Sequence, residues 1–174
     1  MRQVFCSHLL RVPFGVPFFF LGLVALSLCR PAIAQTTKPA DIETRQVVGS
    51  TFQATHEALV EAIEAEGLVV GAVIPFKAML ARTEASRSEV DMPYAEAEIV
   101  QFCSSLLAWQ MVGEHPDQLA LCPLSIAIHA PVGEPGRISL SWHSPGRSTA
   151  GRSKADDLLR RLVERTTQLA RLRW

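Results

Sequence analysis

The stretch Leu124–His143 reads LSIAIHAPVGEPGRISLSWH, and its pattern decides the fold. Leu124, Ile126 and Ile128 alternate with Ser125, Ala127 and His129, and after the turn Ile138, Leu140 and Trp142 alternate with Ser139, Ser141 and His143. A repeat of two places successive side chains on opposite faces, the mark of a strand. The intervening PVGEPG is rich in turn formers, so the two runs read as an antiparallel hairpin. Burying one face sets the register. Pairing Ile128 with Ile138, Ile126 with Leu140 and Leu124 with Trp142 makes that face wholly apolar. The other face carries Ser125, Ala127, His129, Arg137, Ser139, Ser141 and His143, as expected of an antiparallel pair with one solvated side.

An apolar sheet face needs helices to cover it, and the flanking sequence supplies them. Upstream, Ser50 and Thr51 are good N-caps. Behind them Phe52, Leu59 and Ile63 form a stripe flanked by Ala58 and Ala62, with Glu57, Glu61 and Glu64 opposite and Gly67 as the stop. Downstream, Lys154–Arg173 forms a closing helix with Leu158, Leu159, Leu162, Leu169 and Leu172 inward, after a polar loop Ser144–Ser153. Glu43–Val48 reads as a first strand. Leu68–Ile74 (LVVGAVI) is continuously apolar and reads as a central buried strand. Phe76–Ala85 reads as a short helix and Ser86–Pro93 as a loop. Tyr94–Gly113 admits two readings. Ile99, Phe102, Cys103, Leu106 and Gln110 fit one long helix, which periodicity prefers. Ile99, Val100 and Phe102 also fit a strand, with Ser104 or Ser105 capping a separate helix.

The chain has 174 residues, is 48% hydrophobic and carries no net charge, enough for one domain. Met1–Ala34 has the parts of a secretory signal: Arg2 and Arg11, then the apolar Val12–Leu28, then Ala32 and Ala34 as a small-x-small exit. Cleavage near Ala34 directs the protein to the periplasm or to secretion. Residues 35–45 are then a linker and 46–174 a single domain. The signal removes Arg2, Arg11 and Arg30 and no acid, so the exported part carries about three negative charges, which excludes a strongly basic nucleic-acid binder. Cys6 and Cys29 leave with the signal, while Cys103 and Cys122 remain as a pair in an oxidising compartment.

Several motifs together resemble a bacterial family, domain of unknown function 302 (DUF302). They are Gln101-Phe102-Cys103-Ser104, Met111, His115-Pro116-Asp117, Cys122-Pro123 leading into Leu124–His129, the capped helix ending at Glu66-Gly67, and Gly136-Arg137-Ile138-Ser139-Leu140. The likeness extends over Val47–Arg165. It implies an α+β fold, an antiparallel sheet with helices packed on one face in strand–helix–strands–helix order, like the TATA-binding-protein superfold. It also favours a strand near Ala97–Phe102 followed by a helix. It implies no catalytic residue. In the family pattern a Cys sometimes follows the proline at 123; here Cys122 precedes it.

Three constellations carry chemistry. Cys103 and Cys122 at one rim of the sheet form a disulfide, two unrelated core thiols, or a reactive dithiol or metal pair; a disulfide closing this loop contributes about 3 kcal/mol. In the register above His143 lies across from Pro123, so Cys103, Cys122 and His143, with His115 as a fourth ligand, form a thiolate–imidazole set suited to zinc or copper(I). His129, Ser139 and Ser141 line the polar face of the hairpin as a ligand surface. Glu57, Glu61 and Glu64, and Glu96 with Glu98, read as solvated faces. No P-loop, GxSxG or HExxH is present. The expectation is therefore a non-enzymatic exported domain that binds a small ligand or a protein partner, with no cofactor and no nucleic acid. The alternative is thiol-redox or metal chemistry at Cys103 and Cys122. The basic closing helix and Trp174 leave open a weak membrane-surface contact, and a homodimer is also open.

Overall fold

A computed structural model describes residues 41–83, 91–134 and 136–173. The signal at 1–34, the linker up to residue 40, most of the Ser86–Pro93 loop and the Trp174 anchor lie outside the described residues.

Five strands follow from the alternating and apolar runs: β1 Ile42–Val47, β2 Val69–Ile74, β3 Tyr94–Cys103, β4 Leu124–Pro131 and β5 Ile138–His143. They form one antiparallel sheet in the order β1-β5-β4-β3-β2. Helix α1 (Phe52–Ala65) starts at Thr51, whose Oγ1 accepts from Ala54 N, and stops at Gly67, which takes the left-handed φ of 73° that suits glycine. Helices α2 (Phe76–Ala81), α3 (Ser105–Glu114) and α4 (Ala150–Leu172) complete the fold, with a 3₁₀ turn at Pro116–Leu121. Helices α1 and α4 pack on each other and over one face of the sheet. There Leu59, Ile63, Phe102, Ile126, Ile128, Leu140, Leu159 and Leu162 lose essentially all contact with water.

The segment 94–113 is a strand followed by a helix, with Ser104 capping α3. A ten-residue strand paired on both sides, with β2 and β4, outweighs the helical spacing of the same apolar residues.

Several expectations are corrected. Within the hairpin Ile126 pairs with Trp142 and Ile128 with Leu140, a slip of two from the expected register. Burying one face fixes only the parity of the pairing, and a slip of two keeps every side chain on its side. Strand β2 is an edge strand, and Val69 remains 77% exposed. A continuous apolar run marks a strand but not its lateral position, and Gly71 opens a bulge between Val70 and Ala72. The sheet begins at Ile42, so residues 42–45 belong to β1 rather than to a linker. Helix α4 begins at Ala150, inside the expected Ser144–Ser153 loop, because Thr149 caps it and the Glu114 carboxylate accepts from Gly151 N at 2.8 Å. Helix α3 lies so close here that a Cβ on Gly151 would sit 2.9 Å from Met111 Cγ. Leu172 points outward, 81% exposed. It lies about 200° around the helix from the buried Ala170.

The β5–α4 connection is held by a buried carboxylate. Asp156, 1% exposed, accepts from Ser144 Oγ at 2.7 Å, Arg147 Nη1 at 2.9 Å and Arg160 Nε at 3.0 Å. Burial raises its pKa, but these three donors together hold it below the ordinary carboxylate value. Removing the carboxylate leaves two guanidinium groups without their shared partner. Asp156→Ala is expected to lose about 3 kcal/mol in urea unfolding, and the exposed Asp157→Ala less than about 1 kcal/mol. Equal losses would refute the buried anchor.

Candidate functional site

Alternation sends every second strand residue to the face opposite α1 and α4. Laterally, one row runs Gln46, Ser139, His129, Ala97, and the next runs Thr44, Ser141, Ala127, Ile99, Ile74. In these two rows the β1–β5 side is polar and the β3–β2 side apolar, with His129 at the junction; the next row brings Gln101 of β3 opposite Ser125.

The polar side is joined by hydrogen bonds. Thr44 Oγ1 and Ser141 Oγ lie 3.1 Å apart, and His129 Nε2 lies 3.1 Å from Ser141 Oγ. The Tyr94 ring meets the His129 ring edge-on at 5.6 Å, and Phe76 from α2 meets Tyr94 in the same way at 6.4 Å. Burial first, and then the nearby Arg137 charge, holds His129 below its ordinary pKa of 6.5, so it is uncharged at neutral pH. Ser139, 5% exposed, is enclosed between Gln46 and His129. The structure thus joins two of the expected ligand-face residues, His129 and Ser141, and buries the third beside them.

His143 goes elsewhere. Its Nε2 meets Asp41 Oδ2 at 2.9 Å near the sheet edge. With the register slipped by two, His143 no longer lies across from the residue beside Cys122. Exposed His115 accepts from Asp117 N at 3.3 Å and caps the 3₁₀ turn. Among the described residues no three His, Cys, Asp or Glu side chains gather as a metal set.

Cys103 closes β3 and Cys122 precedes β4; both are free thiols. The β3–β4 ladder ends at Phe102 opposite Leu124, which leaves the two cysteines side by side just beyond it. Burial pushes the Cys122 thiol up, and the adjacent Cys103 adds to the shift through charge and thiol contact.

One pair escaped the sequence reading. Glu98 faces the helices rather than solvent and binds His56 Nδ1 of α1, with both side chains largely buried. The available signal was parity: Glu98, Val100 and Phe102 share the core-facing side of β3. Glu57 and Glu61 are exposed and pair with Arg173. Arg160 and Arg161 of α4 likewise pair with Glu43 and Glu66. Arg160, Arg161 and Arg173 of the basic segment are therefore ion-paired within the fold.

A family model described as Domain of unknown function DUF302 matches residues 44–171. The fold is similar to that in the crystal structure of an uncharacterized conserved protein DUF302 from Bacillus stearothermophilus. The TM-score is 0.59 at 18% identity, covering 76% of this chain and all of that one. No curated protein matches the chain.

A proton on His129 is disfavoured in the fold, so its NMR titration is expected to show a midpoint below 6.5. Between that midpoint and 6.5 the unfolded chain binds more protons, so stability falls as pH drops through this window. His129→Gln should remove that part of the pH dependence in denaturant unfolding. A midpoint above 6.5 would contradict the burial argument.

Proposed function

This chain belongs to the DUF302 family, and on that premise we propose that it is an exported, non-enzymatic domain binding a small ligand on the open face of its sheet. The observation that carries this reading is the Thr44–Ser141–His129 hydrogen-bond chain beside Ala97, Ala127 and Ile99. An uncharged imidazole and two hydroxyls offer donors and acceptors without net charge, and the small and branched apolar residues alongside offer a flat apolar floor. The matching ligand has one hydrogen-bonding edge and a flat apolar body. Tyr94 supplies an aromatic wall against His129.

A serine hydroxyl 3.1 Å from an imidazole invites a hydrolase reading, but the surroundings argue against it. Ser141 lies within a strand paired on both sides, where backbone N–H groups are spent on the sheet rather than free to stabilise an oxyanion. Among the described residues no carboxylate hydrogen-bonds to His129 to orient it.

A second reading, thiol chemistry at Cys103 and Cys122, is favoured by one observation: the two thiols are free, adjacent and at the rim of the sheet.

Export is tested by N-terminal sequencing of the protein recovered outside the cytoplasm, with a start just after Ala34 expected. Binding is tested by ligand-observed NMR of that protein against a library of neutral aromatic and heteroaromatic compounds. Binders should perturb β4 and β5 resonances, and Ser141→Ala or His129→Ala should weaken them by about tenfold, the worth of one or two hydrogen bonds. Binders that map to another surface would overturn the reading. Turnover abolished by Ser141→Ala would replace it with an enzymatic one, and a protein partner captured on this face in place of small ligands would change the occupant.

A further inference from the structure

The two cysteines bracket a single excursion of the chain. Between Cys103 and Cys122 lie α3 and the 3₁₀ turn. This segment carries Leu106, Trp109 and Leu119, exposed at 83%, 77% and 67%. Cys103 is the last residue of β3, and Cys122 stands two residues before Leu124, the partner of Phe102 in the final pair of the ladder. The thiols therefore sit at the base of the excursion, one on each side. They differ in access: Cys103 is exposed, while Cys122 is half-buried against the hydrophobic core.

We infer that Cys103 and Cys122 form a reversible dithiol site that undergoes thiol–disulfide exchange with small disulfides, with Cys103 reacting first and Cys122 resolving. This rests on the reading that the pair acts as thiols, and it is independent of the sheet-face ligand. Cys103 Sγ, as the thiolate, attacks one sulfur of the small disulfide; that S–S bond breaks and one thiolate leaves with the electron pair. Cys122, as the thiolate, then attacks Cys103 Sγ and expels the second small thiolate, closing the Cys103–Cys122 bond. The two protons released by the cysteines are taken up by the two departing thiolates. The protein pair is oxidised by two electrons and the small disulfide is reduced to two thiols.

The order follows from access and from the thiolate requirement. A small disulfide reaches the exposed Cys103. Cys122 is shielded by the core and its proton is held more tightly than usual, so it reacts chiefly with the sulfur already beside it. The new bond would tie the two ends of the α3 excursion together and hold the base of its exposed apolar residues.

The test uses the exported chain, reduced and then treated with glutathione disulfide, and read by intact-protein mass spectrometry with peptide mapping. The wild type is expected to lose two hydrogens and retain no glutathione. Cys122→Ser should hold one glutathione on Cys103, and Cys103→Ser should react at least about tenfold more slowly than wild type. Cys→Ala versions at both positions guard against a serine-specific folding defect. Two glutathiones retained on the wild type, or Cys103→Ser reacting as fast as wild type, would overturn the inference while leaving the cysteines as thiols. A cross-link that resists reduction under native conditions would instead defeat the thiol reading itself and make the pair a staple.

Discussion

Five antiparallel strands, with α1 and α4 on one side, impose a division that the rest of the molecule obeys. Because side chains alternate across a strand, each residue committed to the helices sends its neighbours to the far side. Ile126, Ile128, Leu140 and Trp142 bury against α1 and α4. Ser125, Ala127, His129, Ser139 and Ser141 are then delivered to the opposite face with no further specification. The polar face is thus a by-product of the core: the alternation that gives the protein its hydrophobic interior also lays out the rows on the opposite side.

The same logic separates what could be read in the sequence from what could not. Parity is a local property of the chain, so the faces of the hairpin, the caps of α1 and the residues of the polar face are all legible. Lateral neighbours are set by long-range pairing, which parity does not determine. Two slips followed. The hairpin register moved by two, which took His143 to Asp41 and away from the cysteines. The apolar run of β2 went to the edge of the sheet instead of its centre. Glu98 was misread for a related reason: with 94–113 ambiguous between helix and strand, the side on which Glu98 would emerge had no fixed meaning.

The start of α4 shows a different limit. Ser144–Ser153 is loop-like in composition, yet its last four residues are helical. What recruits them is tertiary. Glu114, thirty-seven residues earlier, accepts from Gly151 N, and the buried Asp156 draws in Ser144 and Arg147 from the connecting loop. A propensity reading sees glycine and serine; the fold sees the end of a helix with its amide and carboxylate partners already in place.

The polar face and the cysteine pair are therefore separate sites on one sheet. Ala97 pairs with His129, and Cys103 lies six residues further along the same strand; at the usual strand rise that is about 20 Å. The intervening residues of β3 are all paired with β4, and those from Ile99 onward also with β2, so a bond formed at the Cys103 end has no loose segment through which to move His129. The chain that a Cys103–Cys122 bond does constrain is α3 and the 3₁₀ turn, and these contact α4 at its N-terminal end through Glu114 and Gly151. Whatever the oxidation state of the thiols controls should therefore be sought on the α3 surface around Leu106 and Trp109, and not at the imidazole.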